Sequence, residues 1–168
     1  MKQIAAVGIL VLTLGVPLGF CVACACHRQP SKDHLPEWLP AASIEELVCD
    51  GVPQLLKVQI VHRDAWSRCA PVVVDRAYVR CTGDSKELAV LSVHGHLGCW
   101  IEFDAARRRF KSQCYSLEYD IDGKLLDRDS PRVDDMAPVD FRVDQGRLYV
   151  RTTDLFHPYD PRYREHPR

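Results

Sequence analysis

The chain has 168 residues, 22 basic against 23 acidic side chains for a formal net charge of −1, and 46% hydrophobic residues. That length supports about one globular domain beyond any targeting segment. The balanced charge, without a basic stripe, excludes the electrostatic footprint of a nucleic-acid binder. No Gly-rich phosphate loop is present, and no Ser-His-Asp or Cys-His arrangement is legible, so nothing marks an enzyme site in its own right.

Residues 4–26 carry no charge. As a helix they extend roughly 35 Å at about 1.5 Å per residue, enough to cross a bilayer. A single N-terminal transmembrane helix within residues 1–28 is the first expectation. Ala23-Cys24-Ala25 also has the small-x-small form of a signal cleavage site, and Gly15 and Pro17 would end a short apolar region before it. Acylation among Cys21, Cys24 and Cys26 is a third reading, although no Leu stands three residues before Cys24 or Cys26. All three deliver the rest of the chain to a membrane or beyond it. Lys2 against Arg28 and Lys32 does not fix the orientation.

Residues 29–42 are rich in proline and aperiodic, and read as a linker. Ser43 to Leu47 suits one helical turn with Ser43 as N-cap and Glu46 at the capping-box position. Short strands follow. Leu56, Val58 and Ile60 alternate with more polar neighbours; Val72 to Val74 and Ala77 to Val79 are β-branched and aromatic runs; Thr82 to Ser85 is a turn; Leu88 to Val93 is a further apolar run. Trp100 to Asp104 alternates again, with Trp100 suited to a core or strand position. Arg107, Arg108 and Arg109 read as a solvated turn before a strand restarting at Phe110. Tyr119 to Leu126 is a hairpin about Asp122-Gly123, and Phe141 to Val143 pairs with Leu148 to Val150 across Asp144-Gln145-Gly146, since Gly supplies the positive φ of a tight turn. The tail 152–168 is expected to be poorly ordered. The whole predicts an all-β sandwich or barrel-like head over residues 43–151.

The segment His94-Gly95-His96-Leu97-Gly98-Cys99, with Ser112-Gln113-Cys114-Tyr115 after it, resembles the two cluster-binding loops of Rieske iron–sulfur proteins, C-x-H-L-G-C and C-x-C-H-G-S. The resemblance extends over about residues 52–151. It takes in Asp64-Ala65-Trp66, the Leu88 to Ser92 approach, Tyr119-Asp120-x-Asp122-Gly123 and Gly146 to Val150, and it is similar to the Rieske subunits of bacterial quinol:cytochrome c reductases. It implies cluster-binding-type loops within 93–131. Position by position, His96 matches a histidine ligand, and Cys99 and Cys114 match the two non-ligand cysteines that join the loops by a disulfide. His94 and Ser112 stand where the two cysteine ligands belong, and Tyr115 where the second histidine ligand belongs. Leu117 replaces a serine that hydrogen-bonds the cluster, Tyr119 matches a tyrosine that does so, and in the third loop Pro131 is kept while Asp129 stands near a glycine position.

A Rieske centre takes two thiolates on one iron and two imidazoles on the other. With both thiolates and one imidazole missing, His96 is the one retained ligand, and no normal [2Fe–2S] cluster is expected. The resemblance then implies a membrane-anchored subunit with an extracytoplasmic (periplasmic) head, beside cytochrome b- and c-type subunits of a respiratory quinol:cytochrome c reductase-type complex. Its role would be structural, assembly or regulatory, and it would not be an enzyme by itself. Two alternatives stay open: an electron-transfer protein with an atypical iron–sulfur cluster or another metal, and a free-standing extracytoplasmic binding module. His94, His96, Cys99 and Cys114 also have spacing for a tetrahedral Zn²⁺ site, on condition that both cysteines stay reduced. Without further ligands, His94 and His96 are ordinary loop histidines. Among Cys49, Cys69 and Cys81 one further disulfide is expected, its pairing not readable from sequence.

Overall fold

The structure, a computed structural model, describes residues 35–61, 70–83, 87–126 and 133–156. The expected membrane segment, Asp64 to Trp66, Cys69, Asp129, Pro131 and residues 157–168 lie outside them. Among the described residues no helix is long and apolar enough to cross a membrane. They form nine strands in three antiparallel three-stranded sheets: β1 (Trp38–Ser43), β9 (Arg147–Arg151) and β8 (Phe141–Asp144); β2 (Gln54–Ile60), β3 (Val72–Thr82) and β4 (Glu87–Ser92); β5 (Ile101–Asp104), β6 (Arg109–Ser112) and β7 (Glu118–Tyr119). The mostly β architecture expected from the alternating runs is therefore present.

Strand β3 serves two cores, because successive side chains of a strand point to opposite faces. Ala77 and Val79 join Leu39, Val58, Val90, Val139, Leu148, Val150 and Leu155 in one cluster. Tyr78 joins Val93, Ile101, Phe110, Tyr119, Leu125 and Met136 in the other, beneath the sheet β5-β6-β7. The Tyr78 hydroxyl accepts the Phe103 N–H at 3.1 Å and donates to the Ile101 carbonyl at 3.4 Å, so one side chain ties β3 to β5.

Two expected boundaries need correction. Residues 38–42, expected in the linker, form most of β1. Leu39 is fully buried opposite Val150, and Pro40 sits beside a register shift, a place where a strand tolerates the missing N–H. Residues 152–156, expected in a loose tail, form a short helix, α1 (Thr152–Phe156). Leu155 is buried, the Thr152 N–H donates to the Glu37 carbonyl at 2.9 Å, and its hydroxyl donates to the Pro36 carbonyl. The expected turn after Ser43 is a 3-10 turn (Ile44–Glu46), and the Ser43 side chain does not cap it.

Asp154 of α1 accepts the Asp140 N–H at 2.8 Å. Burial first, then the neighbouring Asp140 charge, push its carboxyl above the usual carboxylate range, against that hydrogen bond and the attraction of Arg151. A raised folded-state pKa contributes stability that is fully present below the unfolded pKa and is lost as pH rises through the folded value. Asp154→Asn is therefore expected to raise the melting temperature relative to the parent chain at about pH 7 and to lose that advantage at about pH 3, where both states of the parent carry a neutral carboxyl. Thermal scans of the two proteins across that range measure it.

Candidate functional site

Two loops meet at one end of the sheet β5-β6-β7. The first runs from β4 into β5. It is closed by the Val93 carbonyl accepting from Ile101 N–H (2.8 Å), by Gly95 N–H donating to the Cys99 carbonyl (2.6 Å), and by Gly98 N–H donating to the Gly95 carbonyl (3.0 Å). Its 3-10 turn, His96–Gly98, is broken at Leu97, whose φ of 57° is followed by 76° at Gly98. A left-handed Leu is costly for an L side chain, yet Leu97 is 76% exposed and so is not held there by its own packing. At Gly95 an added Cβ would lie 3.0 Å from the end of the Ile101 side chain, a tight contact that Ile101 would have to relieve by a few tenths of an ångström.

The second loop leaves β6 and returns to β7. It is closed by Ser112 N–H donating to the Leu117 carbonyl (3.0 Å), and Gln113 N–H donates to the Trp100 carbonyl at 2.9 Å, joining it to the first loop. The Cys99–Cys114 disulfide, expected from the family resemblance, makes the covalent link, with Cα atoms 5.8 Å apart. A second disulfide joins Cys49 to Cys81, which settles the pairing that the sequence left open.

The expected site residues separate in this frame. Ser112 is buried at the end of β6, and Tyr115 is 46% exposed. His96 lies in the 3-10 turn. His94 has a partner that sequence reasoning missed. Its Nε2 lies 3.0 and 3.3 Å from the two carboxylate oxygens of Asp75 on β3, 19 positions earlier. An ionised carboxylate only accepts, so Nε2 carries the proton. The His94 N–H donates to Ser92 Oγ at 3.0 Å, and the ring stands edge-on to Trp100 at 5.7 Å. Arg76 lies over the other end of this group, 5.3 Å from the Trp100 ring centre. A signal for Asp75 was available: an acid directly after Val72-Val73-Val74 in a strand needs a polar partner once buried.

A [2Fe–2S] centre does not fit these donors. Such a centre needs two free thiolates, and among the described residues the sulfurs of Cys99 and Cys114 are bonded to each other and those of Cys49 and Cys81 likewise. The tetrahedral zinc reading through His94, His96, Cys99 and Cys114 is corrected for the same reason, because a disulfide sulfur is not a thiolate ligand. Among the described residues no three His, Cys, Asp or Glu side chains come together to hold a metal ion.

Tyr119, matched by resemblance to a cluster-bonding tyrosine, is fully buried, and its hydroxyl has no hydrogen-bond partner among the described residues. Burial first, and the nearby Asp135 charge second, push its pKa above the ordinary tyrosine value. An unsatisfied buried hydroxyl costs about 1–3 kcal/mol. Tyr119→Phe is thus expected to leave the fold intact and to gain about 1 kcal/mol in urea unfolding; a loss of that size would mean that the hydroxyl has a partner.

No known family model and no curated protein matches the chain. Among solved structures, it is similar to the ferredoxin of carbazole 1,9a-dioxygenase from Nocardioides aromaticivorans IC177, with 19% identity and a TM-score of 0.40 over 69% of this chain and 98% of that one. It is also similar to the plasma membrane Rieske protein PetC3 from Synechocystis PCC 6803, with 18% identity and a TM-score of 0.36 over 55% of this chain and 85% of that one. A Mycobacterium tuberculosis protein assigned as the small subunit of an NADH-dependent nitrite reductase aligns at 18% identity and a TM-score of 0.33, over 67% of this chain and 92% of that one.

Proposed function

We propose that the chain is a Rieske-type head that works without the usual cluster, as a structural, assembly or regulatory subunit beside a respiratory quinol:cytochrome c reductase-type complex. The observation that carries this reading is the disulfide between Cys99 and Cys114 holding two loops of the C-x-H-L-G-C and C-x-C-H frame while His94 and Ser112 fill the thiolate positions. The hydrogen bonds within and between the loops, with the His94–Asp75 pair, hold the frame through protein contacts alone. Leu97 and Tyr115 then present an exposed apolar tip suited to a partner protein. On this reading the uncharged segment 4–26 anchors the head to the membrane, and the two disulfides suit an oxidising compartment outside the cytoplasm.

The test is affinity purification of the full-length chain from gently solubilised membranes. Recovery of cytochrome b- and c-type subunits, reduced by Leu97→Asp, supports the reading; recovery of the chain without them counts against it.

One observation favours a second reading. A carboxylate that accepts from one ring nitrogen of a histidine is the arrangement that orients a metal-ligating imidazole through its other nitrogen. Asp75 stands in that relation to His94. A non-standard metal held by His94 and His96 would follow, with stoichiometric metal in the purified protein as its signature.

A further inference from the structure

The outer edge of β8 carries a self-complementary pattern, and we propose that two copies of this chain associate weakly through antiparallel pairing of their β8 strands. The strand Phe141-Arg142-Val143-Asp144 ends the sheet β1-β9-β8, and all four residues are exposed. Among the described residues no strand pairs with its outer side.

The ladder geometry decides which groups face outward. The Arg151 N–H donates to the Asp140 carbonyl at 2.9 Å, and residues bonded across an antiparallel pair alternate. Arg142 and Asp144 therefore bond inward to β9, opposite Tyr149 and Arg147. The N–H and C=O groups of Phe141 and Val143 point outward and are available to a new strand. Their side chains share a face with their register partners Val150 and Leu148, both fully buried. The two thus extend the core face to the edge, where Phe141 is 36% and Val143 50% exposed.

Parity and charge then select a register. An outward-facing residue must meet an outward-facing residue of the second copy. Phe141 opposite Phe141 would place Arg142 against Asp140, which Arg151 already engages at 2.7 Å, and Phe141 opposite Val143 would place Arg142 against Arg142, a like-charge pair. Val143 opposite Val143 places Arg142 against Asp144, twice by symmetry. Neither Arg142 nor Asp144 takes part in an ion pair among the described residues. Arg142 lies over the rings of Trp38 on β1 and Tyr149 on β9 at 5.0 and 5.5 Å, so its guanidinium must swing from the inner strands toward the edge to meet the second copy's Asp144, which further weakens the association. The symmetry is that of an isologous interface. A four-residue edge is short, so the association is concentration-dependent and weak.

The test uses the full-length chain purified in detergent. Val143→Cys is expected to form a disulfide-linked homodimer on mild oxidation, since directly paired Cα atoms at about 5.5 Å lie within disulfide range. The parent chain and Lys111→Cys, on the exposed face of β6, should give only background linkage. Arg142→Asp and Asp144→Arg should each raise the dimer dissociation constant about tenfold by turning two attractive cross-strand pairs repulsive. The combined Arg142→Asp/Asp144→Arg protein should return to within about threefold of the parent, because both pairs are attractive again. Sedimentation velocity reads the constants, and circular dichroism confirms that each variant is folded. Val143→Cys linkage at the Lys111→Cys rate, a parent chain that stays monomeric at the highest concentration, or a double reversal as weak as the singles would each overturn the proposal.

Discussion

Replacing Cys99 and Cys114 together by serine is expected to lower the unfolding free energy by about 3 kcal/mol, the entropy of closing a loop of this length in the unfolded chain. The two cysteines are 15 positions apart and join loops that are otherwise linked by the Gln113 N–H to Trp100 carbonyl bond, each loop being closed by its own backbone hydrogen bonds near Gly95, Gly98 and Ser112. The loss should concentrate at the tip. Amide exchange should accelerate at Gly95, Gly98 and Gln113 while the Phe103–Phe110 register of β5 and β6 stays protected. Urea unfolding under non-reducing conditions gives the energy, and exchange mapping gives the location. An unchanged midpoint would mean that the clamp carries no stability and that the loops are held by something else.

Phe110→Ala is expected to cost about 3–5 kcal/mol, the range for emptying a fully buried aromatic site. Phe110 is fully buried between Tyr78 and Phe103, with ring centres 4.9 Å from each. It also faces Tyr119 across β6 and β7. Emptying this position removes the floor under both loops, since Ser112 follows two residues later on the same strand face. Phe103→Ala should cost less, because Phe103 is only partly buried. Equal costs from urea unfolding of the two variants would contradict the placement of this core.

The sequence made the local elements legible wherever one short-range rule governs them. The hairpin at Gln145-Gly146 forms with φ values of 48° and 73°, as the glycine predicts. The turn before Gly123 forms through Asp120, whose carboxylate accepts the Asp122 and Lys124 N–H groups at 2.9 Å. Strands β2 and β5 lie where apolar alternation puts them, β4 where the apolar run Leu88 to Val93 does, and β6 about Phe110. The residues missed are those whose reason is long-range. Prolines at 36 and 40 hid β1, whose Leu39 is held by β9 more than a hundred positions away. The runs at Val72 and Ala77 are one strand, because Asp75 and Arg76 are accommodated by His94 and Trp100 and do not break it.

At the candidate site the Cys99–Cys114 pair was legible only through the family resemblance. The role of His94 was half legible. The resemblance marks its place in the first loop, while its hydrogen bond to Asp75 depends on the crossing of β3 beside that loop.

We propose that protein contacts and the Cys99–Cys114 disulfide hold the two loops without a cluster. Iron and acid-labile sulfide content, with the visible absorption spectrum, of the full-length chain purified without air are the deciding measurement. A colourless protein without stoichiometric iron or sulfide is expected, with Cys99 and Cys114 joined in non-reducing peptide mapping. A visible iron–sulfur band with two irons per chain would contradict it.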